Sequence, residues 1–297
     1  MSNSTTKYGI LVAVDGSAES DTAVRWAARE AAMRNAAVTL MHVIAPVEVS
    51  WPVGYLRSSF DASQEENAQH VISQAQKTFR ASVGDAGTPN VRAAVEHGSV
   101  AATLITASRT AQMVVAGSRG FGALGRALLG STSGGLVHYA HCPVAVIRPD
   151  EALACDPTSP VLVGIDGSPA SEAATALAFD EAALRGVDLV ALHAWSDVGI
   201  FPVLGMDWRQ YEDQGHEVLG ERLAGWRERY PDVHVRRRIV CDQPARWLLE
   251  ESAQAQLVVV GSRGRGGFKG MLLGSVSTKV AEGAKAPVIV VRPGEDA

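Results

Sequence analysis

Two stretches of this sequence, Gly117 to Ser131 and Gly261 to Ser275, share one pattern: Gly, two residues, Gly, nine residues, then Gly-Ser. Glycine at Gly117, Gly120 and Gly130, and again at Gly261, Gly264 and Gly274, lets backbone approach a ligand and adopt positive φ at little steric cost. Each closing Gly-Ser reads as a helix start, where unpaired N–H groups and the helix dipole favour an anion. The chemistry this spacing supports is phosphate binding by main-chain amides, present twice. Charge agrees with it. No Asp or Glu occurs between Glu96 and Asp150, a span containing Arg119 and Arg126, or between Glu251 and Glu282, which encloses Arg263, Arg265 and Lys269. Basic loops free of acids suit a polyphosphate. The plainer alternative is a solvated basic loop with Ser131 and Ser275 as simple helix caps.

Positioning such loops requires strands and helices around them. Gly9 to Val14 is a β-rich apolar run fit for a central parallel strand, ending at Asp15-Gly16-Ser17, a turn and helix-start signal. A helix with Val24, Ala27, Ala28 and Ala31 on one face follows, then a strand over Ala37 to Val43. Residues 45–60, with Pro46, Pro52 and Gly54, read as a loop, and Asp61 to Val83 as a helix with Ala68, Val71, Ile72, Ala75 and Phe79 at helical spacing. Val91–Val95 and Met113–Ala116 read as strands on either side of a helix over Val100–Ser108. Thr132–Ala140 should be helical, although Gly134 and Gly135 weaken it by roughly 1 kcal/mol each. Pro143 to Ile147 closes the half as a fifth strand. Alternating strands and helices imply a mainly parallel sheet with right-handed crossovers.

The acidic, proline-punctuated segment from Pro149 to Ser159 reads as a linker, dividing the chain into domains 1–150 and 151–297. The pattern then recurs. Val161 to Ser168 repeats the first strand and its Asp-Gly-Ser, with Asp166 lying 151 positions after Asp15 and His193 the same distance after His42. From Val91/Val235 onward the offset is 144, as for Gly117/Gly261 and Pro143/Pro287. The second half is therefore shorter, and the loss falls between its second and third strands. Two copies argue for duplication rather than a solenoid.

Open parallel sheets bind ligands beyond the carboxyl ends of the first and fourth strands. Asp15 and Gly117 should meet across one cleft, and Asp166 and Gly261 across another. An acid there can hold a ribose hydroxyl or an adenine amino group, or it can stabilise the Asp-Gly-Ser turn; the loop in both halves favours the ligand. His42 and His193, at matching strand ends, suit a structural hydrogen bond better than acid–base work. His138 and His141 lack a third metal ligand at fixed spacing and read as helix-end residues.

Composition sets outer bounds. With 46% hydrophobic and 20% charged residues the chain can fill two cores, and a net charge of −5 gives no overall field for nucleic acid or anionic membranes. Met1–Lys7 is polar, no apolar run approaches a membrane span, and Cys142, Cys155 and Cys241 form an odd, unpatterned set, so a cytoplasmic location is expected. There is no Walker A sequence, no Gly-x-Gly-x-x-Gly after the first strand, and no Gly-x-Ser-x-Gly elbow.

Asp-Gly-Ser after the first strand, the Gly-x2-Gly-x9-Gly-Ser loop and the closing Pro-Val-x-Val strands together resemble the universal stress protein family, and the tandem arrangement is similar to its two-domain actinobacterial members. The resemblance covers nearly the whole chain. It implies an α/β fold of two tandem Rossmann-like domains, each a five-stranded parallel sheet flanked by helices, with ATP bound twice per chain and Mg a candidate companion ion. Carried onto this sequence, Asp15 and Asp166 match the nucleotide-site aspartate, and Val43 and Ala194 the position whose backbone meets adenine. Gly117, Gly120, Gly130 and Ser131 match the phosphate loop, as do Gly261, Gly264, Gly274 and Ser275, with Thr132 and Val276 adding N–H groups. The resemblance also implies pairing through the last strands, as a homodimer or an intramolecular pseudo-dimer. The leading expectation is an ATP-dependent regulator in stress response or growth arrest, with no evident catalytic base. A slow ATPase or adenylyl-transfer enzyme and a non-catalytic scaffold are the alternatives.

Overall fold

The apolar runs form the expected strands. The computed structural model describes residues 6–46, 57–83, 90–120, 129–148, 156–195, 208–265 and 272–293, in two units, Met1–Pro149 and Asp150–Ala297. The linker core with Cys155, and Arg126 and Lys269 of the glycine loops, lie outside the described residues.

In the first unit the chain runs β1 (Gly9–Ala13), α1 (Ala18–Arg34), β2 (Val38–Ile44), α2 (Arg57–Val83), β3 (Val91–His97), α3 (Val100–Ser108), β4 (Ala111–Gly117), α4 (Ser131–Tyr139) and β5 (Val144–Ile147). Its strands lie in the order β3-β2-β1-β4-β5, every neighbouring pair parallel. The second unit repeats this with β6 (Val161–Gly164), α5 (Pro169–Arg185), β7 (Leu189–Ala194), α6 (Trp208–Arg229), β8 (Val235–Val240), α7 (Pro244–Glu251), β9 (Leu257–Gly261), α8 (Ser275–Gly283) and β10 (Val288–Val291), ordered β8-β7-β6-β9-β10. Order reverses at β1/β4 and at β6/β9, so each unit has one switch point where a crevice opens at the carboxyl ends of its strands.

The central strands carry apolar side chains on both faces because helices cover both: Ile10, Leu11 and Val12 are at most 1% exposed. β3 and most of β8 leave their residues exposed or half-buried, while β8 ends in buried Ile239 and Val240. α1 packs on α2, and α3 on α4. Ser17 and Ser168 cap α1 and α5, their hydroxyls accepting from Ser20 N (3.1 Å) and Ser171 N (3.2 Å). Pro169 sits in the first turn of α5, where its missing N–H costs nothing.

One local expectation changes and one holds. α2 starts at Arg57, so the segment read as a loop to residue 60 is helical from there on. Gly134 and Gly135 do not break α4; a β-carbon on Gly135 would stand 3.3 Å from Ala101 Cβ, so the missing side chain admits α3.

Candidate functional site

Each crevice is built around the Asp-Gly-Ser turn. In the first unit Ser17 N and Ser17 Oγ both donate to Asp15 Oδ1, at 2.9 and 2.6 Å. In the second, Ser168 N donates to Asp166 Oδ1 (2.9 Å), while Ser168 Oγ turns to the Arg263 carbonyl of the glycine loop (3.0 Å). Gly16 and Gly167 adopt φ 83° and 78°, the left-handed geometry that favours glycine. The aspartate is therefore a turn-former in both units.

Below the turn, a histidine fixes the strand tip. His42 Nδ1 lies 2.8 Å from the Val14 carbonyl and His193 Nδ1 2.7 Å from that of Ile165. A carbonyl only accepts, so Nδ1 carries the proton in both. His193 is 3% exposed, and burial pushes its pKa below the ordinary value; the bond to Ile165 and the Asp166 charge oppose this, while the charges of Arg265 and Arg222 add to it. These histidines hold structure. Val43 and Ala194 come next along β2 and β7, at or next to the carboxyl ends of those strands.

The glycine loop closes over the same aspartate. A β-carbon on Gly120 would run into Asp15 Oδ2, and one on Gly264 into Asp166 Oδ2. Arg265 N donates to Asp166 Oδ2 at 3.1 Å, and Arg265 Nε donates to the Asp166 carbonyl. Gly117 and Gly261 also answer a packing demand. Their β-carbons would meet Glu19 Cβ at 2.9 Å and the Ala170 carbonyl carbon at 2.6 Å, so these glycines let β4 and β9 lie against the first turns of α1 and α5. None of the loop glycines Gly117, Gly120, Gly130, Gly261, Gly264 and Gly274 has positive φ; close approach is the reason for Gly117, Gly120, Gly261 and Gly264, where a β-carbon would stand under 3.0 Å from a neighbour.

The far end of each loop is pinned by a serine absent from the sequence-derived set. Ser133 Oγ donates to Ser118 O (2.9 Å) and Gly130 O (3.1 Å); Ser277 Oγ donates to Ser262 O and Gly274 O (both 2.9 Å). Gly130 N and Gly274 N each donate to the same Ser118 or Ser262 carbonyl at 2.8 Å. The signal was legible: Ser133 and Ser277 repeat at the loop's own offset. Gly130 and Gly274 then cap α4 and α8 with no side-chain hydrogen bond, leaving the opening N–H groups at Ser131, Thr132, Ser275 and Val276 without a cap acceptor. Ser118 Oγ and Ser262 Oγ are buried and have no hydrogen-bond partner. Main-chain and hydroxyl donors gather at the base of each loop, with the helix dipole behind them.

Among the described residues no group of three or more His, Cys, Asp or Glu side chains could hold a metal ion. His138 Nδ1 bonds the Gly134 carbonyl one turn back, at 2.8 Å. No helix among the described residues is long and apolar enough to cross a membrane.

The model of the Universal stress protein family matches this chain twice, over residues 9–148 and 158–292. The chain belongs to the universal stress protein family. A universal stress protein of Mycolicibacterium smegmatis is 62% identical over 293 residues, covering 99% of this chain and all of that relative. One from Mycobacterium tuberculosis is 50% identical over 293 residues, 98% of this chain and 99% of the relative. A solved universal stress protein from Archaeoglobus fulgidus, 23% identical, superposes with a TM-score of 0.69 over 96% of this chain and 98% of its own, a likeness of fold. The tandem universal stress protein fold is thus the frame in which both crevices sit.

Proposed function

We propose that each unit binds one ATP, two per chain, and that nucleotide occupancy sets the conformation or partner choice of a stress-response regulator that is not a fast-turnover enzyme. The observation that carries this reading is the closure of the glycine loop on the aspartate. Gly120 and Gly264 bring backbone against Asp15 and Asp166, while uncapped helix starts at Gly130-Ser131 and Gly274-Ser275 stand at the loop's other end. Adenosine needs an acceptor for a ribose hydroxyl or the adenine amino group, and a triphosphate needs clustered donors. Asp15 and Asp166 supply the first, with the backbone of Val43 and Ala194 alongside the adenine. Gly117, Gly120, Gly130, Ser131 and Thr132, and Gly261, Gly264, Gly274, Ser275 and Val276, supply the loop and its N–H groups. The orphaned hydroxyls of Ser118 and Ser262 fit a site completed by a polar ligand. Mg would neutralise phosphate charge if it enters with the nucleotide.

The protein is proposed to work in the cytoplasm, without nucleic acid or membrane, and to pair through β5 and β10 either within the chain or between chains. Native mass spectrometry of freshly purified protein counts both nucleotides and chains. Two ATP per chain is the expected result. Protein that carries no nucleotide, and whose melting temperature ignores added ATP, overturns the reading.

A further inference from the structure

The duplicated crevices are not electrostatically alike. In the first unit, α1 opens with Glu19 and Asp21; Glu19 lies directly against Gly117, and Asp21 accepts from Thr78 of α2 (3.3 Å). In the second, Ala170 occupies the place of Glu19 against Gly261, and Glu172 faces an arginine, Arg222 of α6, at 3.2 Å. That guanidinium lies on the Asp-Gly-Ser turn itself, since a β-carbon on Gly167 would coincide with it. Its Nε is buried without a hydrogen-bond partner. On the other side of the turn Arg265 bonds Asp166 through both its backbone N–H and its Nε. The sequence position matching Arg265 in the first half is Phe121. Around the first turn stand Asp15, Glu19 and Asp21 with one arginine, Arg25, paired to Asp21 at 3.8 Å. Around the second stand Asp166 and Glu172 with two arginines. Arg119 and Arg263 stand at matching places in the two loops, so among the described residues the groups named here make the second turn two charge units more positive than the first.

Resting on the ATP reading above, we infer that the two sites divide by ligand charge: the second selects for a polyphosphate nucleotide through Arg222 and Arg265, and the first, flanked by Glu19, discriminates little by phosphate number. A turn more positive by two charge units, one added arginine and one fewer carboxylate, should raise the second site's preference for ATP over AMP by about tenfold relative to the first. It should also make its ATP affinity fall faster with salt. Arg222 acts as a specificity residue, and its pairing with Glu172 fixes where its charge sits.

The test uses full-length chains with one site closed: Gly120→Val leaves the second site and Gly264→Val the first, each checked for native circular dichroism. Titration calorimetry with ATP and with AMP at low and high salt then gives the ATP-to-AMP ratio of each site. The expected result is a larger ratio and steeper salt loss for the second site. Adding Arg222→Thr should bring that ratio toward the first site's, and Arg222→Lys should largely keep it. Equal ratios and equal salt dependence, with both chains binding ATP, overturn this inference and leave the ATP reading standing. Loss of ATP and AMP binding in equal proportion on Arg222→Thr also overturns it, because that is the mark of a structural residue. Absence of ATP binding in both one-site chains and the parent overturns the ATP reading and this inference together.

Discussion

Alanine at Gly261 and at Gly264, three residues apart in one loop, should produce opposite defects. At Gly261 the new β-carbon would stand 2.6 Å from the Ala170 carbonyl carbon, 2.8 Å from its oxygen and 2.8 Å from Ser171 N. All three are backbone atoms of the first turn of α5, and relaxed non-bonded carbon contacts lie near 3.5–4.0 Å. The helix must therefore move by about 1 Å from β9, an overpacking strain of about 1–3 kcal/mol. Reduced freedom of the unfolded chain offsets about 0.4–1 kcal/mol of that. A net loss of about 1–2 kcal/mol corresponds to a melting point lower by about 2–8 °C for a domain of this size. At Gly264 the β-carbon would meet only a side-chain oxygen, Asp166 Oδ2, at an exposed point of the loop with no positive φ to strain. The carboxylate can rotate aside, so the fold should keep its melting point to within about 1 °C, as surface changes usually do. Asp166 is then displaced from its place beside the loop, and ATP affinity should drop by about tenfold, the order of one lost charge-assisted hydrogen bond. Differential scanning calorimetry of nucleotide-stripped protein reads the first quantity and titration calorimetry the second. The reasoning is refuted if Gly264→Ala melts as low as Gly261→Ala, or if Gly261→Ala melts with the parent.

Two further expectations concern pH. Burial pushes the Cys142 thiol up to about 12 from an ordinary 9.0, so the folded chain keeps a proton that the unfolded chain releases; stability should therefore decline between those values by up to about 1.4 kcal/mol per pH unit, and urea titrations of Cys142→Ala should show a flatter alkaline limb. A parent thiol that reacts with a thiol reagent at neutral pH as fast as in denaturant would contradict this. His193 is held below its ordinary 6.5 chiefly by burial, so the unfolded chain takes up a proton that the folded one refuses. Stability should fall as pH drops below that value, and His193→Gln, which can still donate to the Ile165 carbonyl, should lessen the fall; an unchanged acid limb would rule the histidine out as its source.

The fold was legible because its signals are local. Ile10-Leu11-Val12 and Val161-Leu162-Val163 are β-branched or aliphatic runs too short for helices, and Ser17 and Ser168 stop them with a turn that also caps the next helix. The loop's glycines were legible as a pattern but not in purpose. Spacing shows that backbone must come close at Gly117 and Gly120, and only packing shows that one faces a helix and the other an aspartate. Ser118 and Ser262 were visible as repeats, but a buried hydroxyl without a partner exists only once the surrounding chain is in place.

Arg222 could not be found from sequence for a geometric reason. Its acidic partner Glu172 lies 151 positions after Asp21, whereas Arg222 itself lies 144 after Thr78. The two pairs, Asp21 with Thr78 and Glu172 with Arg222, match only if the seven-residue loss falls before α6 rather than after it. Nothing in composition sets that point, because α2 and α6 share little beyond an apolar stripe. Burial decides it: Phe79 and Leu223 are both at most 1% exposed, and the residue preceding each reaches the first turn of its neighbouring helix. Once that register is fixed, a threonine in one copy and an arginine in the other occupy the same place beside the Asp-Gly-Ser turn. Duplication preserved the loop and the aspartate, while divergence altered the charge around them. That is the pattern expected when both copies keep one class of ligand and come to differ in how strongly they discriminate within it.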